Sequence, residues 1–352
     1  MDPAGALSPP PPPPGPPPYP PPQPPKRQSI LTRVGAGLLS SILLVSIVAN
    51  VYFGIWFYSS LRTRGPQEAV YQDGDKDQRI VILPATGLVN QGLERFIRLS
   101  LRTLEKDPPK AIVLRVDSPG GDPFASDRIV HWIESFQSKH PQVPIVASFG
   151  TVAASGGYYI AAGADQIVAE PLTRTGSIGV MSLSFTFKDL MDKIGVSPVV
   201  QTATESPMKD VANNPFRAFD QQDRQEIQES IDQLHERFVQ VVHKGRADHL
   251  SDQRVRELAN GKVYMTEEAL EAKLVDAVGF LDDAIEDARA RAGIASDVEP
   301  LVTAMQMPTR LSLQSLFSQS ASPPDRLQID QVRQWILELQ TPQLEYRYYP
   351  QW

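Results

Sequence analysis

The chain has 352 residues, of which 41% are hydrophobic, so it is long enough to bury a large core in one or two domains. It contains no cysteine, which excludes disulfides, cysteine nucleophiles and thiolate zinc sites. The net charge is −7, but residues 1–64 are basic and the remainder holds 29 basic against 40 acidic residues, which argues against nucleic acid as a partner.

Residues 1–33 are predicted to form a proline-rich, disordered arm. Fifteen of the first 25 residues are proline, including the run Pro9–Pro14. Because proline fixes φ and lacks an N–H donor, this arm should be an extended, solvated polyproline II segment. Composition leaves two interpretations open, a ligand for a domain with an aromatic groove or a simple spacer.

Residues 34–60 carry no charged side chain and are predicted to form one transmembrane helix, since about 20 apolar residues span a bilayer. The alternative is a cleaved secretory signal, but the apolar part of such a signal runs to only about 7–15 residues. Three basic residues precede the span and two follow it. This bias favours a cytoplasmic N-terminus and a main body outside the cytoplasm, at the cell (inner) membrane.

After a polar linker at residues 61–78, short apolar runs alternate with helical spacing across residues 79–295. Strands are predicted at Ile80–Leu83, Ala111–Leu114, Ile145–Ser148, Ile167–Ala169 and Pro198–Val200. Helices are predicted at Leu93–Leu104, Ile129–Phe136, Gln221–Lys244, Asp252–Ala259 and Leu281–Ala292. Continuously apolar strands are typical of parallel sheets that are buried on both faces, so the pattern predicts an α/β fold with parallel sheets and flanking helices.

Two glycine-rich turns follow predicted strands, one at Asp117–Asp122 and one at Ala153–Gly157. If they face each other at one sheet edge, Ser155 is placed as a nucleophile, and the amides of Gly121 and Gly156 form an oxyanion hole. Each feature taken singly has an ordinary explanation, because glycine turns are common and a serine before a helix is typically an N-cap.

A serine nucleophile needs a base, and none of the five histidines lies on a turn after a predicted strand. A lysine can serve when burial lowers the pKa of its amine. Lys209 follows a predicted strand and has apolar neighbours, which makes it the candidate base. Lys188, on an amphipathic helical stretch, is the fallback, and the alternative for either is a solvated surface charge.

Residues 79–295 resemble the signal peptide peptidase A family, serine peptidases of the ClpP/crotonase superfamily. The order and spacing of the matching motifs cover more than half of the chain. The motifs are Arg115–Gly121, Ala153–Tyr159, Thr175–Val180, Lys209-Asp210, Arg237–Arg246, Gly261–Tyr264 and Leu274–Phe280.

The resemblance implies a membrane-anchored serine endopeptidase with a ClpP/crotonase-like core and a serine/lysine dyad. It assigns Ser155 as nucleophile, Lys209 as general base, Gly121 and Gly156 as oxyanion amides, and Ser177 as the hydroxyl that orients the lysine. It implies hydrophobic peptide substrates such as cleaved signal peptides. No metal or cofactor is expected, because the sequence shows no cluster of ligand residues. The resemblance also implies a ring-like homo-oligomer in which the dyad can be completed across a subunit boundary.

The chain departs from the family beside the candidate base. Ser206 stands where the family usually has glycine, and the segment after Asp210 is one residue longer than usual. Two other functions stay open. One is a regulatory protease of membrane proteins, like the stomatin-partner peptidases, and the other is a scaffold with a decayed dyad that binds partners through its polyproline arm.

Residues 296–352 are predicted to be a C-terminal extension appended to the core. They lack glycine and contain one amphipathic helix candidate, Ile329–Gln340. The aromatic tail Tyr346–Trp352 is expected either to lie in the substrate groove of its own or a neighbouring chain, or to be a loosely packed terminus.

Overall fold

A computed structural model describes Gly15 and residues 30–61, 65–212, 214–307 and 343–347. It divides the chain into two compact units, residues 1–63 and residues 64–352. The proline-rich arm, apart from Gly15 and the first residues of a helix, lies outside the described residues, as does the helix candidate Ile329–Gln340.

The first unit contains helix α1, Ile30–Leu61. Its stretch Leu38–Ile55 has a mean hydropathy of 2.1 and is long and apolar enough to cross a membrane. The predicted apolar helix at residues 34–60 is therefore present, and it begins four residues earlier than expected.

The second unit is built on a nine-stranded sheet in the order β1-β11-β2-β3-β5-β6-β10, with β7 pairing to β5 and β9 pairing to β7. The central pairs are parallel, and β1 is antiparallel to β11. The strands of this sheet are β1 Gln67–Gln72, β2 Asp75–Thr86, β3 Ala111–Ser118, β5 Ile145–Ala154, β6 Gln166–Ala169, β7 Arg174–Gly176, β9 Val263–Met265, β10 Ala277–Val278 and β11 Pro300–Gln306.

A second sheet has the order β4-β12-β8, and eight α-helices accompany the two sheets among the described residues of this unit. Its strands are β4 Gly120–Gly121, β8 Met181–Leu183 and β12 Gln343–Arg347. The helices are α2 Gln91–Leu104, α3 Pro123–Lys139, α4 Gly156–Ala161, α5 Lys188–Ile194, α6 Gln221–Gly245, α7 Asp252–Leu258, α8 Thr266–Glu271 and α9 Leu281–Arg291, with a 3₁₀ turn at Pro207–Asp210.

Helices cover both faces of the parallel sheet, and successive residues of a strand point to opposite faces. In β2, Val81 and Leu83 join the core that includes residues of α2, α3, α4 and α6, whereas Ile80 and Ile82 join a smaller core with α9. All four side chains are almost fully buried. The continuous apolar runs in the sequence thus reflect burial on two faces, and the predicted α/β class with flanking helices is confirmed.

Capping residues set the helix starts beside the glycine turns. Asp122 accepts a hydrogen bond from the N–H of Phe124 at 2.8 Å, and Pro123 occupies the first position of α3, where its missing N–H costs nothing. A capping box between Asp220 and Asp223 begins α6. Helix α6 thus begins at the predicted residue Gln221, whereas α3 begins six residues before the predicted Ile129 because Asp122 and Pro123 start it earlier.

Three expectations about organisation are wrong. Residues 198–200 form no strand, and Val199 is 85% exposed, since no neighbouring strand pairs with it. The segment predicted as a linker contains β1, and the segment predicted as an appended extension contains β11, which lies between β1 and β2 in the main sheet. The boundaries at residues 78 and 295 therefore cut through this unit, because β1 and β11 are joined by pairing over more than two hundred residues, for which the sequence carries no local signal.

Candidate active site

Ser155 lies on a tight turn between a strand and a helix. β5 ends at Ala154, α4 begins at Gly156, and Ser155 has φ 53° and ψ −120°. A non-glycine residue in this conformation costs of order 1–3 kcal/mol, and such strain clusters at functional sites. The same strand–turn–helix geometry presents the nucleophilic serine of the α/β-hydrolases.

The Ser155 hydroxyl is buried and unpaired. The residue is 1% exposed, and its Oγ has no hydrogen-bond partner among the described residues. The N-cap interpretation is excluded, because the side chain makes no capping bond. The backbone, by contrast, is held on both sides, since the Ser155 N–H donates to the Gly176 carbonyl at 2.8 Å and the Tyr159 N–H donates to the Ser155 carbonyl at 2.9 Å. An unpaired buried hydroxyl costs about 1–3 kcal/mol, so the fold keeps this group available to a ligand.

The two glycine turns are adjacent. A Cβ built on Gly156 would lie 3.2 Å from the amide nitrogen of Gly121. Val89 holds β4 in place, because its N–H donates to the Gly120 carbonyl at 2.9 Å and its carbonyl accepts from the N–H of Asp122 at 2.8 Å. The Gly121 amide therefore lies next to the residue that follows Ser155.

Strand β7 brings Ser177 to the same place. Strand β7 pairs in parallel with the end of β5, where Ala154 is opposite Gly176. Ser155 and Ser177 directly follow these two paired residues. Ser177 has φ 50° and is 8% exposed, and its N–H donates to the Lys262 carbonyl at 2.7 Å. Gly121, the adjacent pair Ser155 and Gly156, and Ser177 thus converge from three separate segments of the chain.

Lys209 does not join this group within one chain. It lies in the 3₁₀ turn Pro207–Asp210, its side chain is exposed, and it makes no hydrogen bond to the Ser155 Oγ. The segment around it exposes several large apolar side chains, which are Met181, Leu183, Phe185, Leu190, Ile194, Val196, Val199, Val200 and Met208.

An ionic network nevertheless gives the Lys209 segment a defined shape. Arg217 donates to Asp210 at 2.7 Å and makes a bidentate pair with Asp223 at 2.5 Å. Asp223 also accepts the N–H of Ala212 at 2.7 Å. The hydrogen bonds from Arg217 hold the pKa of the Asp223 carboxyl well below its usual range, so this carboxylate stays charged and ties the segment to the start of α6.

The fallback residue Lys188 is held in the wrong protonation state for a base. Its ammonium forms a hydrogen bond with Asp192 one turn along α5, and this bond raises the pKa of the amine. A lysine that accepts a proton from serine must first be neutral. The structure therefore disfavours Lys188.

Helix α4, which follows Ser155, is anchored by buried polar contacts. The Tyr158 hydroxyl donates to the Leu274 carbonyl at 2.9 Å, and burial raises the pKa of this phenol. The Tyr159 hydroxyl donates to Asp127 at 2.6 Å. Close by, the buried Arg246 guanidinium forms a bidentate pair with Asp276. These contacts fix the position of the Gly156 amide.

Sequence reasoning assigned no role to the polar residues that support the strand before Ser155. Arg115 lies within the sheet and donates to Ser148 at 2.9 Å and to Glu170 at 2.6 Å. Asp117 accepts the N–H of Val152 at 3.1 Å, where the pairing of β3 with β5 shifts register. The signal that would have found them is a charged residue inside an otherwise apolar strand.

The assembled groups suit acyl transfer, since a hydroxyl lies beside two backbone amides that can bind a carbonyl oxygen as negative charge develops on it. Among the described residues, no group of three or more His, Asp or Glu side chains is placed to hold a metal ion.

Two family models match the chain. Residues 137–295 match peptidase family S49, and residues 79–192 match the N-terminal domain of NfeD1b. A Synechocystis protein named as a protease is 34% identical over 226 residues, which is 64% of this chain and 79% of that protein. An Enterococcus faecium protein named as signal peptide peptidase SppA is 32% identical over 231 residues, 62% of this chain and 65% of its own length.

Among solved structures, the membrane-bound stomatin-specific protease 1510-N aligns with 67% of this chain and 100% of its own chain. The TM-score is 0.44 and the sequence identity is 15%.

Proposed function

The chain belongs to peptidase family S49, the signal peptide peptidase A family, and on that basis we propose that it is a membrane-anchored endopeptidase that works through a Ser155/Lys209 dyad. Ser155 is the nucleophile, Lys209 is the general base, and the amides of Gly121 and Gly156 bind the oxyanion. Ser177 orients the lysine amine.

One observation carries this proposal. The Ser155 hydroxyl is buried without a partner on a strained turn, beside the amide of a second turn. Buried hydroxyls are typically hydrogen-bonded, and those of Ser100 and Ser182 are unpartnered as well. Ser155 combines an unpartnered hydroxyl with a strained turn and an adjacent backbone amide, and this combination supports a catalytic role.

We propose further that Lys209 of a neighbouring subunit completes the dyad. A general base must come within about 2.6–3.2 Å of the proton it removes, and a single chain leaves the Lys209 side chain exposed. The exposed apolar side chains around it, such as Met208 and Val199, support an interface there, because exposed apolar patches of this kind mark protein–protein contacts. Burial in that interface would remove the amine from water and favour its neutral form.

In the proposed reaction, the Ser155 Oγ bonds to the carbonyl carbon while its proton passes to the lysine amine. The tetrahedral oxyanion is bound by the amides of Gly121 and Gly156, which contributes about 3–4 kcal/mol per donor. The carbon–nitrogen bond then breaks as the ammonium returns the proton to the leaving amine. Water, deprotonated by the same amine, hydrolyses the ester and frees the serine.

We propose that the substrates are hydrophobic peptides near the membrane, such as cleaved signal peptides. Helix α1 would anchor the enzyme with its N-terminus in the cytoplasm and the peptidase unit outside it, at the cell membrane. The name of the Enterococcus relative agrees with this substrate class.

A fluorophosphonate probe tests the nucleophile in the detergent-purified full chain. Wild type should be labelled and should hydrolyse a fluorogenic hydrophobic peptide, and Ser155→Ala should do neither. Ser138→Ala, an exposed serine on α3, is the matched control and should behave as wild type. Full labelling and turnover in Ser155→Ala would refute the assignment, and an unlabelled wild-type oligomer would favour the scaffold alternative.

A mixing experiment tests the shared dyad. Ser155→Ala and Lys209→Ala chains should each be inactive alone. Reassembled in equal amounts, they should regain about a quarter of wild-type turnover, because each site then draws its serine and its lysine at random from two chains. Activity in Lys209→Ala alone would remove Lys209 as the base, and an inactive mixture of reassembled oligomers would place both residues in one chain. Lys188→Ala should stay active.

A further inference from the structure

A shallow apolar groove lies at the edge of the main sheet where β2 and β11 end. Ten residues line this groove, and five of them are large and apolar, namely Leu88, Leu93, Phe96, Met305 and Met307. Leu88 is 43% exposed and Met307 is 47% exposed, so the groove presents apolar surface to its surroundings. Clustered apolar side chains that remain exposed typically mark a contact with another protein or with a membrane.

Phe124 extends this surface beside the groove. Helix α2 follows β2, and α3 follows β3 and the short β4. Because β2 and β3 are parallel, both helices begin at the same edge of the sheet. The connection before α2 also contacts β4, since Val89 bridges to Gly121. Phe124, the second residue of α3, is 58% exposed. The apolar rim is defined as Leu88, Phe96, Phe124 and Met307.

The covalent chain keeps the apolar rim close to the end of helix α1. Five residues connect Leu61 to Gln67, the first residue of β1, and an extended chain of this length spans about 20 Å at most. Gln67 pairs with Gln306, which lies between the groove residues Met305 and Met307. If α1 crosses a bilayer, the rim is therefore tethered close to the surface of that bilayer.

The free positive charge beside the rim suits the headgroups of anionic lipids. Arg95 on α2 and Arg128 on α3 are both exposed, and neither forms an ion pair within the part of the chain that the structure describes. The nearby carboxylates are already bonded, Glu94 to Arg98, Asp127 to Arg237 and Asp122 to the N–H of Phe124. The charges left for a partner at this edge are thus those of the two arginines, and they attract an anionic surface.

We propose that the apolar rim rests on the lipid surface. Leu88, Phe124 and Met307 would lie at the boundary between headgroups and acyl chains. Arg95 and Arg128 would contact lipid phosphates. Amphipathic protein surfaces bind membranes in this way, through burial of apolar area together with attraction to anionic lipids. The proposal rests on the proposed function, since it needs α1 to be the membrane anchor.

The contact has a consequence for the substrate, because the rim is joined to the glycine strand. Val89, next to Leu88, bonds to the Gly120 carbonyl and to the Asp122 N–H, on either side of Gly121. A rim fixed on lipid therefore keeps the proposed oxyanion amide beside the region where hydrophobic peptides concentrate. Since this acts through the local concentration of substrate, loss of the contact should raise KM for a membrane-bound peptide and leave kcat unchanged.

The test places a fluorescent probe on the rim, which is direct because the chain has no cysteine. The full chain, with nitrobenzoxadiazole on Phe124→Cys, is reconstituted in vesicles of phosphatidylcholine and phosphatidylglycerol. Its emission should shift to the blue, and lipids with a spin label near the headgroup should quench it several-fold more than the control. That control is Ser138→Cys, an exposed position about 21 Å further along α3.

Charge variants test the two arginines. Arg95→Glu combined with Arg128→Glu should weaken docking about fivefold per arginine, seen as reduced quenching of the Phe124→Cys probe in vesicles that contain phosphatidylglycerol. The same pair should raise KM for an acylated fluorogenic peptide in those vesicles, with turnover of a soluble peptide unchanged. Arg95→Lys combined with Arg128→Lys keeps the charge and should behave as wild type.

The outcomes separate this proposal from the proposed function. A wild type that carbonate releases from the vesicles overturns the membrane anchor, and the lipid contact with it. An anchored chain whose probe on Phe124→Cys is quenched no more than that on Ser138→Cys overturns the lipid contact alone and leaves the peptidase assignment standing. A blue-shifted probe that spin-labelled lipids do not quench also overturns it, because a protein segment such as residues 308–342 or a second copy then covers the rim. Equal quenching in the wild type and the glutamate pair overturns the role of the arginines.

Discussion

Substitution of Gly121 by alanine should test the contribution of the oxyanion hole to catalysis. A Cβ at this position would lie 2.2 Å from the Val89 carbonyl oxygen and 2.9 Å from the Val89 nitrogen, well inside van der Waals contact. Both atoms belong to the backbone, so no side-chain rotation relieves the clash. In addition, Gly121 has φ 155°, which side-chain-bearing residues rarely adopt.

The strand β4 must therefore shift away from Val89, and the Gly121 N–H shifts with it. Loss of one oxyanion donor typically lowers kcat by about 10²–10³-fold, which corresponds to about 2.7–4 kcal/mol. Because the donor acts mainly on the charge that develops in the transition state, kcat should fall far more than KM rises. Overpacking should also cost about 1–3 kcal/mol of stability.

The assay is steady-state hydrolysis of a fluorogenic peptide, with folding of each variant checked by circular dichroism and thermal unfolding. Gly156→Ala should be less impaired in folding, since its Cβ would meet the Ser126 hydroxyl at 2.8 Å, a side chain that can rotate. Gly163→Ala has no atom within 4 Å of the new Cβ and serves as the control with wild-type activity. A folded Gly121→Ala enzyme with wild-type kcat would refute the placement of the oxyanion hole.

Two predictions concern stability. Arg246→Met should lower the free energy of unfolding by about 3–5 kcal/mol in urea denaturation, because Asp276 is left buried without its partner, whereas the exposed Arg256→Ala should leave it nearly unchanged. Equal free energies of unfolding for Arg246→Met and Arg256→Ala would contradict this prediction. Asp223→Asn should be destabilising at neutral pH. Since the folded-state pKa of Asp223 lies below the unfolded value of about 3.9, its contribution is complete above that pH and is lost as the pH falls through the folded-state pKa, so the difference from wild type should shrink in acid. A pH-independent difference would count against the Arg217–Asp223 pair as its source.

Features that depend on neighbouring residues could be predicted from the sequence. The buried strands Ile80–Leu83 and Ala111–Leu114 are apolar because both of their faces are covered, and the helix predicted from Gln221 begins there, after a capping aspartate. The turn at Ser155 was predictable for the same reason, since two glycines directly after a serine permit a sharp change from strand to helix. Burial on two faces, capping and turn formation each produce a sequence pattern that spans only a few residues.

Features that depend on distant residues could not be predicted in this way. The place of β11 in the main sheet depends on pairing with β1 and β2, and neither its six apolar or small residues nor their spacing identify those partners. The strand wrongly predicted at residues 198–200 shows the opposite case, because this apolar run has the pattern of a buried strand but is exposed in the structure.

The sequence by itself determined the apolar helix, the α/β alternation, the two glycine turns and, through its motifs, the family. Only the tertiary structure decided that Gly121 and Gly156 are neighbours, that the Lys209 side chain is exposed in one chain, and that Tyr346 pairs with Gly121. The physical reason is the range of the interactions. Helix and turn formation are governed by contacts within a few residues, whereas sheet register and site assembly join segments far apart in the chain, and many pairings of similar apolar strands satisfy the same local pattern.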